Sequence, residues 1–188
     1  MEYKESLKFK GIDYREKELP LGEYEDCQFI NCTFATTNLT GRVFSECIFQ
    51  ECDMSMAILG QTSFRDCKFI KCKLMGLHFN NCNKFLLSMQ FEHCLLNFSS
   101  FYQIKLKKTN FKDCKLQEVD FVESDLTQAV FLNCDLNRAV FNNSILEGAD
   151  FVTSYDFTIN PLTNRIKKAR FSRENVRGLL EGFEIIVE

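Results

Sequence analysis

The 188-residue chain has no tryptophan, only two prolines, eight glycines and two histidines. So few prolines leave few enforced breaks in regular structure, and no glycine-rich run resembles a phosphate-cradling loop. The net charge of −3 lacks the basic excess of a general nucleic-acid binder, so direct nucleic-acid contact is not expected. No stretch approaches the ~18 apolar residues of a membrane span. Met1–Phe9 is charged, unlike an export signal, so neither membrane nor secretion is expected. With no export signal, ten cysteines fit a reducing cytoplasm, where thiols stay free.

What the chain does have is phenylalanine, cysteine and a period of five. From Leu86 every fifth residue is Leu or Phe in strict alternation: Leu86, Phe91, Leu96, Phe101, Leu106, and so on to Phe151. An earlier series in another register runs Phe9, Tyr14, Leu19, Tyr24, Phe29 through Leu74 and Phe79. Two residues before such positions the chain is small, as at Thr37, Ala57, Ser99, Ala129 and Ala149. Neither a helix, with period 3.6, nor a strand, with period 2, gives this spacing, so the chain must turn a corner in every unit. All ten cysteines fall on the small position, and Cys27, Cys47 and Cys67, like Cys94, Cys114 and Cys134, lie twenty residues apart. If twenty residues make one coil, these thiols form ladders with ~4.8 Å steps. Ligands strung along an axis do not gather round a metal, so no metal or cofactor is expected and the thiols read as small buried hydrophobes.

Units such as Ala129-Val130-Phe131-Leu132-Asn133 and Ala149-Asp150-Phe151-Val152-Thr153 resemble the pentapeptide-repeat family over roughly residues 7–155. That resemblance implies an all-β fold, a right-handed quadrilateral parallel β-helix with four repeats per turn and about seven coils. The Leu/Phe alternation then places Leu on two opposite faces and Phe on the other two, giving every layer the same side-chain volume.

Three places depart from the pattern. Lys17 and Arg42 occupy small inward positions, where charge is costly unless it reaches solvent or a partner. Between Phe79 and Leu86 the register slips by two residues, and Asn83, Lys84 and Phe85 read as a bulged corner. The repeat domain is therefore set at 1–155. Residues 156–188 form a turn around Asn160-Pro161, one more unit at Ala169-Arg170-Phe171, a helix over about 172–182 and a strand from Phe183 to Val187. Ser172 is a helix cap, Gly182 a stop, and Val176, Leu179, Leu180 and Phe183 a helical stripe. A solenoid needs such a cap. With Ile185, Ile186 and Val187 the segment carries more apolar surface than a lid requires, so these residues are expected to join two chains as a homodimer.

No catalytic constellation emerges. His78 and His93 point outward while the neighbouring Cys82 and Cys94 point inward, so no Cys–His pair forms, and a filled tube offers no substrate pocket. The chain reads as a non-enzyme with no small-molecule substrate. Its surface is banded, with a lysine collar at residues 104–115, an acidic section and a basic end at 157–173. The acids Glu118, Asp120, Glu123, Asp125, Asp135, Glu147 and Asp150 are the candidate partner surface. Some members of the family protect DNA gyrase from quinolones by resembling DNA. The resemblance thus implies a protein partner such as gyrase or topoisomerase IV, set against a general interaction scaffold docking through the bulge.

Overall fold

The computed structural model describes residues 2–183 and Ile185. Every ladder is parallel, and successive strands lie one coil apart, as in Phe29↔Phe49 and Tyr24↔Phe44. The chain winds as a four-sided parallel β-solenoid. Side 1 carries β1 (Glu2–Glu5), β3 (Gly22–Glu25), β5 (Val43–Ser45) and β7 (Ser63–Arg65). Side 2 carries the longer sheet, formed by β2 (Lys8–Lys10), β4 (Gln28–Ile30), β6 (Ile48–Gln50), β8 (Cys67–Ile70), β9 (Met89–Glu92), β10 (Asn110–Lys112) and β11 (Val130–Leu132). Sides 3 and 4 are joined by single bridges such as Thr33↔Asp53 and Ser100↔Asp120.

Two kinds of corner explain the five-residue unit. At tight corners the small residue donates back to the large one, as Ala129 N to Leu126 O at 2.9 Å. The residue between them is left-handed, as Gln128 with φ 57°. That is a type II turn, which requires a positive φ at its third residue. Corners that follow a strand are wider, and from β3 onward the inward small residue there is cysteine: Cys47 follows β5, and Cys134 follows β11. Each of these thiols reaches a carbonyl of the preceding coil, Cys47 Sγ to Tyr24 O at 3.2 Å and Cys134 Sγ to Phe111 O at 3.3 Å. All ten thiols are free and buried.

Aromatic columns run along the axis. On side 2, Phe9, Phe29, Phe49, Phe69, Phe91, Phe111, Phe131, Phe151 and Phe171 stack in one line with ring centroids 4.7–5.3 Å apart. After the register slip a second column, Phe79 to Phe141, lies on the opposite side 4, so phenylalanine occupies opposite faces there as expected. Before the slip the second column is Tyr24, Phe44 and Phe64 on the adjacent side 1. Phe64 meets Phe79 edge-on at 6.4 Å where the column changes sides.

That change coincides with the insertion. Phe69 pairs with Phe91, twenty-two residues on, whereas the neighbouring coils repeat at twenty. The ladder on side 1 holds through Asn83 N to Thr62 O and resumes at Ser88 N to Phe64 O. Between these bonds Lys84–Leu87 loops outward. Leu86, expected to open the second inward series, is instead 63% exposed beside Phe85 at 65%. The interior is filled there by Met89 and the half-buried Leu87.

The two inward charges part company. Lys17 is exposed, in a first turn closed by Lys17 N to Asp13 O at 3.3 Å in place of the tight-corner bond. Arg42 is only 4% exposed and stays in the wall of the tube. At the amino-terminal end Lys4 takes a central position, its Nζ 5.9 Å from the rings of Phe9 and Tyr24. Charged Lys4, Lys8 and Lys10 on the terminal strands discourage end-on stacking of further strands.

At the other end the coil continues through Asp150↔Arg170, and Phe171 closes the aromatic column. The helix expected over 172–182 does not form. In its place are two short 3-10 turns, Val176–Leu179 and Glu181–Phe183, the second enclosing the expected stop, Gly182. The Asn175 amide explains the difference, since it turns inward to donate to Phe151 O and Ser154 O, satisfying carbonyls at the open end of the tube. Ser172 accepts from Asn175 N, so it caps this plug and not a helix. Gly178 lies so close to Phe157 O that a Cβ would collide with it, and Gly178 O accepts from Ile159 N. The strand expected from Phe183 begins inside the second 3-10 turn, and Ile185 has no regular structure. Its remaining residues Glu184, Ile186 and Val187 lie outside the described residues.

The buried thiols carry a pH consequence. Burial pushes Cys47 and Cys82 up to about 12 from an ordinary value near 9, and Tyr24 up to about 12 from 10. A raised folded value means that the unfolded chain ionises first as pH rises. The stabilising contribution is therefore complete below about pH 9 and is lost progressively toward pH 12. Urea midpoints should be level from pH 7 to 8.5 and fall steeply above pH 9. An impermeant thiol reagent should leave the native protein unlabelled at pH 8 and label it fully in urea. Rapid native labelling at Cys47 or Cys52 would contradict this burial.

Candidate interaction surfaces

Most acids of the carboxy-terminal half sit one residue before or two after a large inward residue, and Glu147 directly follows Leu146, at corners that give them structural work. Asp120, Asp125, Asp135 and Asp150 each accept from the backbone N–H two residues on, at 2.9–3.1 Å, closing the turn that follows. Their second partners come from neighbouring coils. Asp125 meets Lys107 at 3.2 Å and Asp135 meets Lys115 at 3.3 Å, while Asp150 and Glu147 each meet an arginine, Arg170 and Arg165, at 2.7 Å. Glu118 faces Arg138 at 3.7 Å, Gln103 donates to Glu123, and Ser100 donates to Asp120. All seven acids are thus partnered, and the basic bands seen in the sequence neutralise much of the acidic section between them.

A different acidic surface, not singled out from sequence, lies on side 1 of the amino-terminal half. Glu5, Glu25, Asp26, Glu46 and Asp66 occupy the same edge, one coil after another. Glu5, Glu46 and Asp66 make no ion pair among the described residues. Sequence banding missed this edge because its acids are twenty residues apart and interleaved with unrelated ones. The outward loop borders it, leaving a hollow of about 540 Å³ lined by Glu23, Glu25, Ser45, Arg65, Leu86 and others.

The loop is held from both sides. Asn83 accepts from Phe85 N at 3.0 Å, Lys84 Nζ donates to Gln103 O at 3.2 Å, and the Arg65 guanidinium lies 5.9 Å from the Phe85 ring. A second apolar surface lies on the corner between sides 3 and 4. There Met56, Ile58 and Phe98 are more than half exposed, with Gly76 beneath the Met56 sulfur. A side chain at Gly76 would collide with that sulfur, so the glycine lets methionine lie flat along the corner.

Of the residues expected to pair two chains, Val176, Phe183 and Ile185 are exposed, and Leu179 and Leu180 are half-buried. His78 and His93 face solvent. Among the described residues no cluster of three or more His, Cys, Asp or Glu has metal-binding geometry, and no helix is long and apolar enough to cross a membrane.

A family model described as pentapeptide repeat region matches residues 84–155, and one for pentapeptide repeats matches residues 26–66 and 47–83. The chain belongs to the pentapeptide-repeat family. Among solved structures it is similar to a trypsin-treated form of QnrB1, a plasmid-mediated fluoroquinolone resistance protein. That match has 16% identity and a TM-score of 0.72, covering 100% of this chain and 92% of that one. HetL, a pentapeptide-repeat protein involved in heterocyst differentiation regulation in the cyanobacterium Nostoc, matches at 14% identity with a TM-score of 0.53, over 90% of this chain and 84% of that one. At these identities the likeness shows the shared solenoid. No curated protein matches by sequence.

Proposed function

We propose that this pentapeptide-repeat protein is a non-catalytic scaffold that binds a protein partner in the cytoplasm, where its thiols stay reduced. The observation that carries this reading is the corner of Met56, Ile58 and Phe98, three large apolar side chains left uncovered on a rod whose interior is filled. Methionine and an aromatic side chain exposed on one corner make an adaptable contact surface suited to apolar side chains of a partner. A photo-cross-linking residue at Phe98 should give a discrete protein adduct in cells, and the same residue at exposed Asn133 should not. Phe98→Asp should remove partner binding without lowering stability, since that ring packs on the surface and not in the tube. Equal adducts from both positions would sink the reading.

A second reading makes the partner a type II topoisomerase, DNA gyrase or topoisomerase IV. It is favoured by the match to QnrB1 along the whole chain and by the acidic edge from Glu5 to Asp66. The paired acids from Glu118 to Asp150 weigh against it, because a DNA mimic needs charge that is free to meet a basic saddle. Gyrase supercoiling in the presence of a quinolone decides between the two. Protection by this protein, lost when Glu46 and Asp66 become Lys, would establish the topoisomerase reading. No protection at stoichiometric excess leaves the general scaffold.

A further inference from the structure

Side 1 is electrically divided by the loop. Its ladder passes through Glu5, Glu25, Ser45 and Arg65 before the loop, and through Lys105, Asp125, Ile145 and Arg165 after it. Lys84–Leu87 therefore stands at the midpoint, with four ladder levels on either side. Before it the outward acids Glu5, Glu23, Glu25, Asp26, Glu46 and Asp66 face a single arginine, Arg65. After it come Lys105, Lys107, Lys108, Arg165, Lys167 and Lys168, against Asp125 and Glu147. Lys105, Lys108, Lys167 and Lys168 form no ion pair among the described residues. At the dividing level two large apolar side chains, Phe85 and Leu86, project to solvent.

We propose that side 1 is the surface through which two copies of this chain pair, lying antiparallel with a two-fold axis at the Phe85–Leu86 loop. Only a two-fold arrangement lays the acidic half of one copy on the basic half of the other, and a parallel one sets like charge on like. The axis at the loop places the level of Arg65 and Asp66 against the partner's Lys105–Lys108 level, and the level of Glu5 against that of Lys167 and Lys168. The same patch is used twice, as a closed dimer requires. Phe85 and Leu86 of both copies meet at the centre, where apolar residues contribute most, and the charges form the rim that fixes register. Eight steps of ~4.8 Å along a side ~12–15 Å wide give roughly 500–600 Å² per copy, at the low end for a stable interface. The dimer is accordingly weak, dissociating in the micromolar range, and sensitive to salt. A partner at the Met56–Phe98 corner leaves this pairing intact, since that corner lies away from side 1, whereas a topoisomerase on the edge from Glu5 to Asp66 would compete with it.

Sedimentation equilibrium of the full chain tests it. At 50 mM salt and tens of micromolar the dimer should dominate, and at 0.5 M salt the apparent dissociation constant should rise at least tenfold. Phe85→Asp should give a monomer with an unchanged β-solenoid spectrum, as both loop side chains lie outside the core. Glu5→Lys with Asp66→Lys should be monomeric, and so should Lys108→Glu with Lys168→Glu. An equimolar mixture of these two variants should restore a heterodimer, and Phe85→Asp in both should abolish it, which general attraction between oppositely charged variants does not predict. A wild-type monomer under these conditions would overturn the proposal. So would a dimer that survives Phe85→Asp but is lost with Val176→Asp and Phe183→Asp, which would place the contact at the carboxy-terminal lid.

Discussion

Phe111→Ala should lower unfolding stability by about 3–5 kcal/mol, the cost of removing a large side chain from a packed interior. Phe111 is completely buried, stacked on Phe91 at 5.1 Å and on Phe131 at 4.9 Å, with edge contacts to Phe101 and Phe121 near 6 Å. Truncation leaves a gap that cannot close, because the coils above and below are fixed by ladder bonds on every side. Each stacked or edge-on pair adds to the area term, so the upper half of that range applies. The outward neighbour Lys112 gives the contrast: its exposed ion pair with Glu92 at 2.6 Å holds two flexible side chains in water. Lys112→Ala should move the urea midpoint very little. The expected difference between two adjacent residues follows from which way each points. Equal effects would mean that the inward and outward assignments are wrong.

The fold was legible because one physical demand repeats at every unit: a large residue inside, a small one at the corner and polar residues elsewhere. Phe29, Phe49 and Phe69 announce their column by spacing alone, and the cysteines at twenty-residue intervals declare the coil length. Where spacing and chemistry disagreed, spacing misled. Leu86 keeps the five-residue period, yet the ladder skips it and resumes at Ser88, so an apolar residue in register ends up in water. The lid failed for a different reason. Val176, Leu179, Leu180 and Phe183 have helical spacing, but the open end of a solenoid presents orphan carbonyls, and the Asn175 side chain satisfies them at the expense of the helix. Local periodicity does not reveal a competing acceptor that lies more than twenty residues away.

The surface was legible in composition and not in arrangement. Glu147 and Arg165 belong to opposite bands of the linear sequence, and winding brings them to 2.7 Å. Glu5, Glu25, Glu46 and Asp66 look unremarked in sequence, and winding lines them along one edge. A twenty-residue coil converts linear blocks of charge into neutral pairs and scattered charges into stripes. Charge must therefore be read along the axis, at intervals of one coil.

Arg42→Ala should cost about 2–3 kcal/mol, and the cause is a slot that recurs in the wall of the tube. Arg42 Nε donates to Leu19 O at 3.0 Å, and Leu19 lies twenty-three residues earlier. In the next coil Thr62 Oγ1 reaches Leu39 O at 2.8 Å across the same interval, and Ser144, Ser154 and Cys134 do likewise with Phe121, Phe131 and Phe111. The inward position thus has a standing acceptor, which serine, threonine or cysteine satisfies and alanine leaves to its turn bond alone. Arginine fits because its long stem packs in the wall while the guanidinium also reaches Thr40 O at 3.2 Å and Glu18 at 2.8 Å. The ion pair itself contributes little, since Glu18 is largely in solvent, so Glu18→Gln should leave stability nearly unchanged. Arg42→Thr should recover about 1 kcal/mol of the loss seen with alanine, because threonine restores the bond to Leu19 O in the geometry that Thr62 already uses. Urea midpoints for the three variants check the ordering. Alanine and threonine of equal cost would show that the stem, not the slot, holds Arg42 in place.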